Sequence, residues 1–234
     1  MNNILEVNDI HTFIGQFHIL EGITVNVPTN SITVLLGRNG VGKTTTLKSI
    51  IGLTPPSQGT ITFKEEDING WRPYNIARLG IGYVPDYRAI FNQLSVEENL
   101  KLAERHKGDL ERKIDFIFEV FPDIERLYQW PGGQLSGGQQ QMLAVARALV
   151  PENELLLIDE PSEGLAPVII EQMMDAIRRL RDQTTVLLVD QNFKVASLLA
   201  DRFVIIEDGQ SVHEGVMEDL VKDQELITKY LGAA

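Results

Sequence analysis

The sequence contains no cysteine. That excludes disulfides, thiolate metal sites and thiol catalysis, and it suits a reducing compartment. No apolar run approaches the roughly 20 residues of a membrane span. The first residues, Met1-Asn2-Asn3-Ile4, carry no basic stretch and no signal-like apolar core. A membrane role is therefore expected to come only through a partner. Basic residues are outnumbered, 21 Lys and Arg against 33 Asp and Glu, for a net charge of −12. Such a surface repels phosphate backbones, so no nucleic-acid partner is expected. Internal repeats, low-complexity segments and long linkers are also missing. What remains is 234 residues of which 43% are hydrophobic. That is enough to build a core, in one large domain or a core with a subdomain.

The chain is organised around Gly37-Arg38-Asn39-Gly40-Val41-Gly42-Lys43-Thr44-Thr45. An apolar run, Ile32 to Leu36, precedes it, and a helical pattern ending near Gly52 follows. Strand, glycine-rich loop and helix together complete the G-x-x-x-x-G-K-[ST] pattern in its meaningful context. Glycines let the backbone turn its N–H groups inward around an anion, and the helix points its positive end at the same place. Lys43 adds a charge for the β- and γ-phosphates, and the Thr44 hydroxyl can ligate Mg²⁺. A mere glycine turn before a helix loses weight once both flanks are in place. The expectation is a nucleoside triphosphate site.

Residues Ile4 to Pro28 read as short strands punctuated by Gly15 and Gly22, with a further strand at Gly59 to Phe63. Ile81 to Asp86 reads as a buried strand running into a loop. From about Ser95 to Val150 the pattern is helical: Ser95 and Glu98 form a capping box, Gly108 ends that helix, Asp109 opens the next, and Pro122 stops it. Leu155 to Ile158 is continuous and apolar, as in a strand buried on both faces. Pro167 to Asp182 reads as an amphipathic helix whose methionines fill the core, and Thr184 to Val189 as another buried strand. Asn192 caps a helix to Ala200. Asp208-Gly209 turns a hairpin, and Met217 to Leu231 forms two short helices. The fold expected is α/β. It has a parallel nucleotide-binding core, an antiparallel β subdomain at the N-terminus and an inserted helical subdomain. The whole chain is one domain, with residues 1–86 and 151–234 as the core with its β subdomain and 87–150 as the helical part.

Two further groups carry chemistry. Asp159 and Glu160 end the leucine run, at the rim where α/β ligands sit. One carboxylate can hold Mg²⁺ and its neighbour can orient or deprotonate an attacking water, the two tasks of phosphoryl transfer. Leu135-Ser136-Gly137-Gly138-Gln139 precedes a strong helix that Ser136 can cap, with Gln139 at the capping-box position. The glycines leave the first N–H groups of that helix uncovered, which makes a second anion cradle; a well-capped structural helix is the alternative. Two molecules placed head to tail, each cradle closing over the other's nucleotide, would explain why one chain carries both.

The order of Gly37–Thr45, Leu135–Gln139 and Leu155–Glu160 resembles the ATP-binding cassette family over essentially the whole chain. The resemblance implies two cassettes sandwiching ATP and Mg²⁺. Lys43 and Thr44 would serve phosphate and Mg²⁺, Asp159 would serve Mg²⁺, and Glu160 would be the catalytic carboxylate. Leu135 to Gln139 would act in trans, with Ser136, Gly137 and Gly138 touching the γ-phosphate. Several positions depart from the family pattern. The loop glutamine falls at Asp86, the switch histidine at Gln191, the aspartate after the catalytic strand at Ala166, and the adenine-stacking aromatic at Ile14, beside Phe13 and Phe17. His11, His18, His106 and His213 are read as structural or surface residues. Tyr83-Val84-Pro85-Asp86, Glu163 to Pro167 and Val189-Asp190-Gln191-Asn192 resemble the branch that energises branched-chain amino acid uptake, with urea and short-chain amide importers as relatives. In that branch Gln191 would donate to the γ-phosphate. The implied partners are a second ATPase subunit, itself or a paralogue, transmembrane permeases docked near Asp86 to Leu94, and indirectly an external binding protein. The implied place is the cytoplasmic face of the membrane. A soluble cassette ATPase acting on nucleic acid or ribosomes, and a regulatory nucleotide-binding module, are the readings of another class.

Overall fold

The computed structural model describes residues 2–181 and 183–232. Asp182, the expected last residue of one helix, lies outside them. In chain order the strands are β1 (Asn3–Ile14), β2 (Phe17–Pro28), β3 (Ile32–Leu36), β4 (Gln58–Phe63), β5 (Glu66–Asp67), β6 (Ile81–Val84), β7 (Leu155–Asp159), β8 (Thr185–Val189), β9 (Arg202–Glu207) and β10 (Gln210–Val216). The main helices are α1 (Lys43–Ile50), α2 (Pro73–Arg78), α3 (Val96–Lys101), α4 (Asp109–Val120), α5 (Pro122–Arg126), α6 (Gly137–Leu149), α7 (Pro167–Leu180), α8 (Phe193–Leu199) and α9 (Met217–Lys222).

Six strands form one sheet in the order β10-β9-β3-β8-β7-β6, with β9, β3, β8, β7 and β6 parallel and β10 antiparallel at the edge. The other four form an antiparallel sheet in the order β2-β1-β4-β5. The apolar runs of β3, β7 and β8 are buried on both faces because each face of the central sheet has its own cover. Alternate residues divide between two cores. Val34, Leu156, Ile158 and Leu188 pack among the helices α3 to α8. Leu35, Leu155, Leu157 and Leu187 pack against α1 and the antiparallel sheet. Fold class and element types thus agree with the expectation.

Local boundaries differ at three places. The N-terminal strands are two runs of 12 residues each. Only Gly15 breaks the chain, whereas Gly22 sits inside β2 where the register with β1 slips. The helix begun by Ser95 ends at Lys101, well before Gly108. Asp109 explains this: its carboxylate accepts the backbone N–H groups of Arg105 and His106, which keeps that stretch out of helical bonding. Gly108 instead N-caps α4. Pro122 does end α4, and it also opens α5 as its first residue, where the missing N–H costs nothing.

Candidate active site

The C-terminal ends of β3, β7 and β8 meet at one edge of the central sheet, and the loops leaving them carry the chemistry. The loop after β3 runs from Gly37 through Arg38, Asn39, Gly40 and Val41 into α1. Gly42 N-caps α1 with φ of 109°, and a Cβ there would stand 2.6 Å from Leu20 Cδ2. Only glycine takes that conformation in that space. The Lys43 side chain, 4% exposed, crosses the loop and donates to the carbonyls of Gly37 and Arg38, 3.0 Å each. Its Nζ lies 3.7 Å from Glu160 Oε1. Burial presses the Lys43 pKa down, and Glu160, Asp159 and Asp190 push it back up. Desolvation and the neighbouring carboxylates thus act on this ammonium in opposite senses, and burial is the larger.

Thr44 Oγ1 donates to Asp159 Oδ1 at 2.9 Å, across 115 residues of sequence. Asp159 is fully buried, and burial raises its pKa above the ordinary carboxylate range, while Thr44 opposes the shift. The second oxygen of Asp159 accepts from Tyr83 Oη at 3.3 Å. Tyr83 is a site neighbour that sequence reasoning placed in a strand and in the Tyr83-Val84-Pro85-Asp86 stretch, without a role at the site. A hydroxyl and a carboxylate held together are hard oxygen ligands, so this pair fits a magnesium ion whose remaining ligands come from phosphate and water.

Glu160 follows β7 with φ of 44°, an unusual conformation for a residue other than glycine, and its N–H is tied to Val189 O at 2.8 Å. Strained backbone of this kind persists where the surroundings over-determine it. Burial and the neighbouring Glu163 raise the Glu160 pKa to about 7, against the opposing pull of Lys43. The carboxyl group is thus poised to take a proton near neutral pH.

From β8 the chain turns through Asp190 and the exposed Gln191 to Asn192, which caps α8 by accepting the Val195 N–H. Asp190 Oδ1 accepts from Ser162 Oγ (2.9 Å) and from Asn192 N (2.7 Å), which ties the loop after Glu160 to the loop after β8. Sequence reasoning did not single out Ser162 or Asp190 as a pair, since nothing in either local pattern marks a contact 28 residues apart. Asp86 stands exposed after β6 and accepts the Tyr87 N–H. It is near enough to raise the Asp159 pKa, yet it makes no hydrogen bond to Thr44 or Asp159 among the described residues.

Phe13 and Ile14 lie at the exposed end of β1, and Ile14 pairs across the hairpin with Phe17. One face of Phe13 is stacked on His18, with ring centroids 4.2 Å apart. Thr12, next to them, bonds Ser49 of α1 at 3.0 Å and so fixes the hairpin over the helix that follows the loop. The stretch from Leu135 to Gln139 is elsewhere. Leu135 is buried, and Ser136 and Gln139 close a capping box over α6 (Gln139 N to Ser136 Oγ 3.3 Å, Ser136 N to Gln139 Oε1 2.9 Å). Ser136 and Gly137 are exposed. Among the described residues this end of α6 makes no hydrogen bond to the loop from Gly37 to Thr45, to Asp159 or to Glu160.

A family profile described as ABC transporter matches residues 20–163. The chain is 38% identical to the high-affinity branched-chain amino acid transport ATP-binding protein BraG of Pseudomonas aeruginosa, over 98% of this chain and 100% of that protein. It is 33% identical to the lipopolysaccharide export system ATP-binding protein LptB of Escherichia coli, over 92% of this chain and 91% of that one. A solved structure titled as the ATP binding subunit of an ABC transporter superposes with a TM-score of 0.83 at 28% identity, covering 98% of this chain and 96% of the other. With a profile match spanning both the loop at Gly37 and the carboxylates at Asp159 and Glu160, and with near-full-length relatives, this chain belongs to the ABC transporter family and is one of its ATP-hydrolysing cassettes.

Proposed function

We propose that this cassette drives a membrane importer for branched-chain amino acids from the cytoplasmic face, as a peripheral subunit. The observation that carries the hydrolytic part is the assembly of Lys43, Thr44, Asp159 and Glu160 at one sheet edge, with Lys43 3.7 Å from Glu160 and Thr44 2.9 Å from Asp159. The cargo rests on the likeness to BraG. The likeness to LptB supports a second reading, with the same ATPase coupled to a different cargo.

The roles follow from the chemistry. Backbone N–H groups of the loop and Lys43 hold the β- and γ-phosphates of ATP and offset the charge that spreads over them during transfer. Thr44 and Asp159 would hold Mg²⁺, with Asp86 as a further carboxylate at the same edge. Bound there, the ion neutralises phosphate charge. Glu160 accepts a proton from the attacking water, a task suited to a carboxyl group with a pKa raised to about 7. Gln191, held at its root by Asp190 and Asn192, donates to the γ-phosphate. Phe13 and Ile14 border the adenine. Residues 87–150 form the lobe that carries the signature, and 1–86 with 151–234 the lobe that holds the nucleotide. The exposure of Ser136 and Gly137 at the start of α6 supports its use in trans: Leu135 to Gln139 of one subunit close on the nucleotide of another, with permeases docked near Asp86 to Leu94.

The test is Glu160→Gln in the assembled transporter. Steady-state ATP turnover is expected to fall at least about 100-fold, the usual range for a general base, while ATP binding persists. Unchanged turnover would remove Glu160 from its role. Uptake assays with leucine and urea, and an export assay with a lipopolysaccharide, then separate the candidate cargoes.

A further inference from the structure

Both oxygens of the Asp159 carboxylate are engaged, by donors from two different elements. Oδ1 accepts from Thr44 of α1 at 2.9 Å, and Oδ2 accepts from the Tyr83 hydroxyl of β6 at 3.3 Å. Register explains how Tyr83 arrives there. It pairs with Leu157 across the parallel β6–β7 ladder, and Asp159 lies two residues beyond Leu157 on the same face of the sheet. The length of a tyrosine side chain spans that offset. Its ring packs against the core that includes Leu155 and Leu157. β6 is the edge of the sheet, so it is the only strand beside β7 on that side. Asp86, three residues further on, accepts the Tyr87 N–H instead. The end of β6 therefore touches Asp159 through Tyr83.

The terminal torsion of an aspartate is broad and roughly two-fold, so no rotamer well fixes the plane of its carboxylate. For Asp159 the two hydrogen bonds fix it, and they do not serve alike. Metal held between Thr44 Oγ1 and Asp159 Oδ1 takes the place of the bond that those two atoms share. The Tyr83 bond lies on the other oxygen and survives. A phenol is protonated at neutral pH and has one hydrogen to give. Asp159 is fully buried, so without that hydrogen Oδ2 would be a desolvated carboxylate oxygen with no donor.

We propose that Tyr83 is a positioning residue for the magnesium site: its hydroxyl holds the second oxygen of Asp159 and so keeps the first aimed at Thr44. This rests on the reading of Thr44 and Asp159 as the metal-holding pair, and it adds a residue that acts only through Asp159. Partners that orient a metal-ligating group commonly change metal affinity by about 10- to 100-fold.

The experiment uses the full chain with a non-hydrolysable ATP analogue and titrates Mn²⁺, which shares the preference of Mg²⁺ for six oxygen ligands. Free Mn²⁺ is read by electron paramagnetic resonance. Affinity for the analogue alone is measured in the presence of a chelator. Tyr83→Phe keeps the ring and removes only the hydroxyl. It is expected to weaken Mn²⁺ binding about tenfold or more. Its affinity for the metal-free analogue is expected to stay within about twofold of wild type, since uniform binding of the nucleotide is untouched. Its melting temperature is expected to fall by no more than about 4 °C. In turnover assays the half-saturating Mg²⁺ concentration rises by the same factor as the Mn²⁺ affinity falls, while kcat at saturating Mg²⁺ stays within about threefold. Tyr83→Leu is expected to match Tyr83→Phe in Mn²⁺ affinity and to melt at a lower temperature. A Tyr83→Phe protein that binds Mn²⁺ as wild type does would overturn the proposal, because the ring would then serve packing alone. So would an equal loss of affinity for the metal-free analogue, which would place the defect in the phosphate loop. Asp159→Asn separates the two levels: Mn²⁺ binding undiminished by that change would remove Asp159 from the metal and overturn the parent reading as well.

Discussion

If Glu160 takes the proposed role of base, its environment makes a pH signature. Because kcat/KM reports the free enzyme, it is expected to rise with pH through about 7 and then level, as the carboxylate form accumulates. A profile flat from pH 6 to 8.5 would exclude Glu160 as the base. The same shift acts on stability with the opposite sense. In the unfolded chain this carboxyl titrates near 4.5, and in the folded chain near 7. Between those values the folded form holds more protons, so stability present at low pH is lost as pH rises. Glu160→Gln is therefore expected to raise the melting temperature of the nucleotide-free protein at pH 8. The gain is on the order of 1 kcal/mol after allowance for solvent screening, or about 2–4 °C. The difference should shrink as the buffer approaches pH 5. Its pH dependence, read by calorimetry, is the deciding quantity, because the substitution also removes the partner of Lys43.

At the scale of elements, α6 is where stability and function share residues. Ser136 caps its N-terminus and Gln139 completes the box, and Gln139 Nε2 also reaches Asp123 of α5 at 3.3 Å. Ser136→Ala is expected to cost about 1 kcal/mol, a fall in melting temperature of about 2–4 °C. If Ser136 also contacts phosphate across a subunit seam, ATP turnover falls far more than this stability loss explains. Turnover that merely tracks the melting temperature would leave the serine a cap and nothing else. The capping boxes at Ser95 and Ser136 were legible in sequence because a cap is written within four residues. The end of α3 was not legible. It depends on Asp109 drawing in two N–H groups from a loop, a competition that local helix propensity does not encode.

For the whole molecule, the expected behaviour is assembly controlled by nucleotide. Lys43 and the end of α6 lie on one polypeptide without touching, so closing one over the other's ATP needs a second copy or a paralogue. Glu160→Gln with ATP is expected to shift the chain toward a dimer in size-exclusion chromatography with light scattering. Adding Lys43→Ala is expected to return it to monomer. A mass that stays monomeric at saturating ATP in the presence of the permease would contradict the seam. The fold that positions these parts was largely readable. Continuous apolar runs at β3, β7 and β8 announced buried strands, and glycine-punctuated apolar segments announced the N-terminal strands. The spatial order β3-β8-β7 was not readable, since it reflects which long-range pairings bury the most surface together.

By itself the sequence determined what is local: the loop from Gly37 to Thr45, the carboxylates that end a buried strand, the helix caps, and the sign of the surface charge. These follow from backbone conformation and hydrogen bonds within a few residues. Tertiary structure alone decided which of those pieces meet. Thr44 reaches Asp159 across 115 residues, Tyr83 joins them, and Ser162 fastens to Asp190. Those contacts, and the proton affinities that burial sets at Asp159 and Glu160, arise from packing and desolvation, which exist only once distant segments share a core.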